Sequence, residues 1–237
     1  MSTEAAPQRR VVERRFYVAA AIGAILVVFA GFARTYYLKG VFGAPAIPEL
    51  VHVHGIVMTS WFLLFLVQVG LVATRRTNIH RKVGVGGTVL AALMVTVSVA
   101  TAISAARRGV SPGPPPLVFL VIPLGDLLVF SILVAAGISL RKKLATHKRL
   151  MLMASMGILT PAIARLPFAF VETGGPLVFF GLTDLVILAV IAIDTVRNRR
   201  LHPAFAWGAL LVIASQPLRL LLGGTDVWMR FATWLVG

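Results

Sequence analysis

Residues 52–74 read HVHGIVMTSWFLLFLVQVGLVAT and are followed at once by RRTNIHRK over 75–82. The first stretch runs 23 residues without a lysine, arginine, aspartate or glutamate. A helix rises about 1.5 Å per residue, so roughly 20 residues cross the ~30 Å hydrocarbon layer of a bilayer. In lipid the backbone polar groups must bond within their own segment, which makes a helix the economical reading of such a run. Comparable runs occur at 16–38, 83–106, 116–140, 150–171, 176–196 and 203–222. Together they predict an all-α polytopic membrane bundle of seven transmembrane helices. Residues 1–15 form a basic tail ahead of it, and 223–237 a short interfacial segment behind it.

Composition agrees. Of 237 residues 58% are hydrophobic and only 13% charged, with a mean hydropathy of +0.91. Soluble domains carry about 25% charge. The net charge of +15 would point to nucleic acid in a soluble protein, but its placement has a better explanation. Arg9, Arg10, Arg14 and Arg15 precede the first helix, and Arg75, Arg76, Arg81 and Lys82 follow the second. Arg141, Lys142, Lys143, Lys148 and Arg149 follow the fourth, and Arg197, Arg199 and Arg200 follow the sixth. In a seven-span topology these 16 residues share one side, against four (Lys39, Arg107, Arg108 and Arg230) on the other. The positive-inside rule then places the N-terminus in the cytoplasm and the C-terminus outside a bacterial cytoplasmic membrane. Membrane lipids are the implied partners, and nucleic acid is not. The chain has no cysteine, which excludes disulfides, thiolate metal sites and cysteine nucleophiles. The first apolar run is too long for a signal-peptide core and is expected to remain as the first span.

The outer connections are rich in glycine and proline, as in GVSPGPPP over 109–116. Proline halts a preceding helix and suits the first position of the next. Residues 226–236 (DVWMRFATWLV) are too short to cross; their aromatic rings suit a half-turn in the outer interface. Gly84, Gly86 and Gly87 open the third helix and favour close helix approach. A faint internal repeat links the helix pairs four–five and six–seven. PLVF at 116–119 leads to Asp126, His147, Pro161 and Arg165, and PLVF at 176–179 leads to Asp184, His202, Pro217 and Arg219. The basic turn repeats further: RR-x3-H-RK over 75–82 matches KK-x3-H-KR over 142–149.

Ionisable groups within hydrocarbon cost at least ~2.5 kcal/mol each near mid-helix. Counting residues places Asp126, Asp184, Arg34, Arg165 and Arg219 in the outer half, with His54 at the outer start of helix two. Besides a proton or ion path, two readings follow. Asp126–Arg165 and Asp184–Arg219 could be ion pairs stitching each hairpin, with Arg34 reaching the surface. Alternatively these residues line a polar cavity that takes a small anionic ligand, since three arginines outnumber two aspartates and guanidinium groups fork onto carboxylate or phosphate. In His52-Val-His54 the rings point about 200° apart on a helix, so only one can face the interior. His54 is then a ligand or hydrogen-bonding candidate. His80, His147 and His202 each begin an outward-running helix, and two of them could hold a b-type haem. No HExxH, Walker or GxSxG motif occurs, so no hydrolase or nucleotide site is indicated.

His54-Gly-x5-Trp61, Gln68, Asn78-x-His80-Arg81-x2-Gly84, His147-x-Arg149-x-Met151 and Arg165-Leu166 resemble an uncharacterised family of bacterial polytopic membrane proteins. The resemblance covers helices two to five and implies a multi-helix membrane fold without an activity. More distantly, the histidine-led helices are similar to transmembrane b-type cytochromes that shuttle electrons from ascorbate. Those hold two haems with four histidines; here only the inner side has enough histidines on separate helices, so that similarity implies at most one inner haem. The remaining alternative is an accessory subunit whose partners are other membrane proteins.

Overall fold

The computed structural model describes residues 5–237, and side chains from residue 11 onward. Residues 1–4 of the expected basic tail, and the side chains of Arg9 and Arg10, lie outside the described residues. The chain is all-helical: α1 (Ala5–Phe32) running on into a π-turn (Ala33–Tyr37), α2 (Glu49–Ala73), α3 (Thr77–Arg107), α4 (Pro116–Phe119), α5 (Val121–Ser139), α6 (Leu144–Gly157), α7 (Thr160–Ile163), α8 (Ala169–Asn198), α9 (Pro203–Gly223) and α10 (Asp226–Val236). Among the described residues six stretches are long and apolar enough to cross a membrane: Val11–Tyr37, Glu49–Ala73, Thr77–Arg107, Pro116–Ser139, Ala169–Asn198 and Pro203–Gly223. The chain is a multi-pass membrane bundle.

The expected fifth crossing, 150–171, departs from a single helix. Pro161 has no N–H to continue the ladder from α6, and the Thr160 hydroxyl takes up the Gly157 carbonyl at 3.1 Å instead. Pro167 then stops α7, and Phe168 is extended (φ −118°, ψ 130°) before α8 starts at Ala169. Arg165, read from sequence as a helical position, therefore sits in this turn. The α6–α7 segment nevertheless runs the depth of the bundle beside α1. Lys148 pairs with Glu13 at one end, and Gly31 meets the Ala162 backbone at the other, where a Cβ would overlap it.

This broken segment is the centre of the fold. Most of its residues are buried, among them Leu152, Met153, Met156 and Leu159. Helices α1, α5, α8 and α9 pack around it, and the α2–α3 hairpin leans on α1 and α5. Small residues permit the approach. A Cβ on Gly208 would lie 3.1 Å from Met153 Cγ, and one on Gly157 would lie 3.3 Å from Val212 Cγ2. Both contacts join residues 55 apart in sequence, as are His147 and His202. Helices α6 and α9 thus face each other through positions equivalent in the sequence repeat. Of the glycines opening α3, Gly84 approaches Gln68 and Gly87 approaches Leu64, while Gly86 faces open space.

Two further boundaries differ from the sequence reading. The sixth span starts seven residues early, at Ala169, and bends at Gly175, whose φ of +61° and ψ of −157° suit glycine alone. Residues 226–236 form an 11-residue helix, not a half-turn, because the Thr225 hydroxyl caps it from the Trp228 N–H at 3.2 Å. Trp228 Nε1 donates to the Leu117 carbonyl at 2.8 Å and pins α10 to α4, leaving Val227, Phe231 and Trp234 exposed.

Candidate functional site

The far half of the bundle, opposite the basic turns, contains the expected polar group in a different arrangement. Gly125 lets the Arg219 stem lie flat across α5, because any Cβ there would overlap it. Arg219 Nη1 then reaches Asp126 Oδ1 at 2.5 Å and the Ile122 carbonyl at 3.2 Å. Its Nε and Nη2 donate to the Ser215 carbonyl and hydroxyl, and its guanidinium lies 5.1 Å from the Phe180 ring centre. Both members of the pair are buried, yet Asp126 Oδ2 has no hydrogen-bond partner. Asp184, one turn beyond Phe180 on α8, accepts from Gln216 Nε2 at 2.7 Å and lies within electrostatic reach of Arg219. The hairpin pairs Asp126–Arg165 and Asp184–Arg219 are therefore not formed. Because α5 touches α9, the salt bridge joins one half of the sequence repeat to the other.

Arg165 lies apart from this group. Its Nη1 donates to the Pro161 carbonyl at 2.8 Å, and its guanidinium packs 5.1 Å from the Phe32 ring centre. Among the described residues no carboxylate comes within ion-pair distance of it. Its side chain is exposed. The charge of Arg165 reaches His54 on α2. His54 is half-buried with Nδ1 3.2 Å from Ser98 Oγ, whereas His52 is exposed, as their helical spacing requires. Arg34 meets Glu172 at 3.4 Å on the rim, both side chains more than half exposed. Among the described residues Arg165 and Asp184 are thereby the members of the group that form no ion pair.

The π-turn shapes the adjoining wall. Its extra residue sets Tyr36 over Gly55, with the Tyr36 hydroxyl donating to the His52 carbonyl at 3.2 Å, and places Tyr37 Oη 2.7 Å from Thr59 Oγ1. A recess of about 100 Å³ behind it is apolar, lined by Ile25, Val28, Phe29, Phe62 and Leu63.

No known protein family, curated protein or solved structure matches the chain. Its chemistry has to be argued from its own atoms.

Near the basic turns, His80 and His147 come together with ring centres 6.3 Å apart, whereas His202 stands separately. His147 Nδ1 donates to the Gly137 carbonyl at 2.8 Å, which leaves its Nε2 with a free lone pair. Gln68, with its amide nitrogen towards α3, donates to His80 Nδ1 at 2.6 Å and to the His80 carbonyl at 3.2 Å, and accepts from Gly84 N at 2.9 Å. That network fixes the His80 proton on Nε2. Two axial ligands to a haem iron need two lone pairs, and this pair, bonded so, offers one. His202 accepts from Ala204 N at 3.1 Å and caps α9, so it is a structural histidine. Among the described residues no group of three or more His, Cys, Asp or Glu side chains could hold a metal ion.

Sequence reasoning missed the best-formed polar contact. Arg149 and Asp194, read as a topology charge and a boundary residue, make a buried pair with three hydrogen bonds of 2.8–3.0 Å. Arg149 Nη1 also donates to the Ala145 carbonyl at 2.9 Å, and the guanidinium lies 5.6 Å from the Phe205 ring centre. The available signal was Asp194 itself, the one acid in the second half of the sixth apolar run.

Proposed function

We propose that the chain crosses the membrane seven times, with α6–α7 as the fifth crossing and the basic turns in the cytoplasm, and binds a small anionic ligand at Arg165 in the outer half. A carboxylate or phosphate is the chemical class. The carrying observation is that Arg219 and Arg149 are each bonded to a buried aspartate and Arg34 meets Glu172, while Arg165 is exposed and, among the described residues, meets no acid. One Pro161 hydrogen bond leaves most of its donor fork free for two parallel bonds to an oxyanion. His54, steadied by Ser98, is placed to add a further hydrogen bond. Asp126 and Arg219 brace α5 against α9 in the same half of the bundle, and Asp184 is held by Gln216. The depth of α6–α7 beside α1 supports a fifth crossing there and hence a total of seven, and the one-sided distribution of lysine and arginine supports the orientation.

A thermal-shift series in detergent at fixed ionic strength, over small carboxylates and phosphates, tests the site. An anion at about 100 times its Kd should stabilise the parent by about 2.7 kcal/mol. Arg165→Ala should fold with a loss of about 0.5–1 kcal/mol from the Phe32 contact and respond to no anion. Arg165→Lys should respond weakly, because an ammonium lacks the planar fork. An Arg165→Ala protein that responds as the parent does would refute the site.

A further inference from the structure

The two basic turns of identical spacing, RR-x3-H-RK at 75–82 and KK-x3-H-KR at 142–149, are brought side by side by the fold, with His80 and His147 in contact between them. Each turn has a fixed backbone. Arg75 is left-handed (φ 64°), and the Arg76 N–H returns to the Leu71 carbonyl at 2.8 Å; across the gap the Lys143 N–H returns to Leu140 at 2.8 Å. Lys148 and Arg149 turn inward to Glu13 and Asp194, and so use up the acids on this face. Arg75, Arg76, Arg81 and Lys82 stay exposed on one lobe, and Arg141, Lys142 and Lys143 on the other. Among the described residues none of the seven meets a carboxylate. Apolar side chains lie directly beside them: Val72, Ile79 and Leu144 are all exposed, Leu144 at 73%.

Cations in two lobes, immediately above exposed aliphatic groups at the ends of membrane helices, complement phosphates attached to acyl chains. We propose that this twin turn binds an anionic phospholipid whose headgroup carries two phosphates, one per lobe. The His80–His147 contact, held by Gln68 and the Gly137 carbonyl, sets the lobes at a constant spacing. The turn at 197–200 provides an internal control. It carries three arginines, but Arg197 is drawn to the Val12 carbonyl and the Phe16 ring.

The test uses the full chain in detergent, titrated with cardiolipin, with phosphatidylglycerol at matched phosphate, or with phosphatidylcholine, and read by native mass spectrometry of retained lipid. Cardiolipin should bind about tenfold tighter than phosphatidylglycerol at matched phosphate. Each cation removed should cost about fivefold. Arg75→Gln with Arg76→Gln, and separately Lys142→Gln with Lys143→Gln, should abolish the preference; Arg199→Gln with Arg200→Gln should preserve it. If one lobe variant fails to purify, the other decides the same point. Equal retention of the two anionic lipids, an equal loss in the control variant, or displacement of cardiolipin by inorganic pyrophosphate would each overturn the proposal. This outcome is independent of Arg165, which lies at the opposite end of the bundle.

Discussion

Two buried arginine–aspartate pairs cross this bundle, one at each end, and they are completed to different degrees. At the basic end Arg149 and Asp194 bond through both carboxylate oxygens, and the remaining Arg149 amino group is taken by the Ala145 carbonyl. At the far end Arg219 engages only one oxygen of Asp126, spends its other donors on Ser215 and Ile122, and leaves Asp126 Oδ2 without a partner. Both pairs are almost equally buried. The difference lies in saturation of hydrogen bonds. A fully satisfied network is rigid, and an orphaned carboxylate oxygen in a buried site is an open demand that a proton, water or ligand can meet. The saturated pair fits a bolt between α6 and α8; the unsaturated one sits in the half where Arg165 is free.

That contrast can be broken experimentally, and the largest effect belongs to the bolt. Arg149→Ala should cost about 3–5 kcal/mol by stranding Asp194, and Arg149→Met with Asp194→Leu should recover most of it, read by unfolding in detergent. Recovery no better than the single variant would mean that the charges themselves are required. Asp126→Asn should cost less, about 2 kcal/mol, since Arg219 keeps three other acceptors and only a charge-assisted bond is weakened. A loss as large as that of Arg149→Ala would put the two ends on equal footing.

The smallest effect is a pH dependence at the basic end. His202 caps α9 as a neutral acceptor, with Arg149, Asp194, Arg200 and Lys148 around it. Burial, and then the Arg149 charge, hold its imidazole below the ordinary value. The unfolded chain therefore takes up the proton first as pH falls. The cap's contribution is complete above the ordinary value of about 6.5 and is lost on acidification through the lower folded value. His202→Asn, a good cap without a titration, should keep stability near that of the parent at pH 7 and remove this acid-side slope. An unchanged slope would assign the dependence to another group.

Much of the fold was legible because the membrane imposes one rule on every span. Residues 52–74 had to be a helix wherever they packed, and α2 matches them within three residues at its start and one at its end. The α6–α7 break was less visible, since Pro161 and Pro167 look like the kinks that a span tolerates. Whether proline bends or ends a helix depends on what donates to the freed carbonyl, here the Thr160 hydroxyl. Of the candidate residues, sequence counting placed Asp126, Asp184 and Arg219 at one level, and the fold brought them together. It could not assign partners: the hairpin pairs it suggested are replaced by a bridge between repeats, and Arg165 is turned away by the α7 break.

The amino-acid order by itself determined an all-helical, multi-pass membrane protein with basic turns between its helices and polar residues in the opposite half of the bundle. Hydropathy and helix rise act locally, so no knowledge of neighbours was needed. Tertiary structure alone decided which arginine meets which aspartate, which one meets none, and which two histidines touch. Those outcomes hang on angstrom-scale approach between helices far apart in sequence, set by small residues such as Gly125 and Gly31.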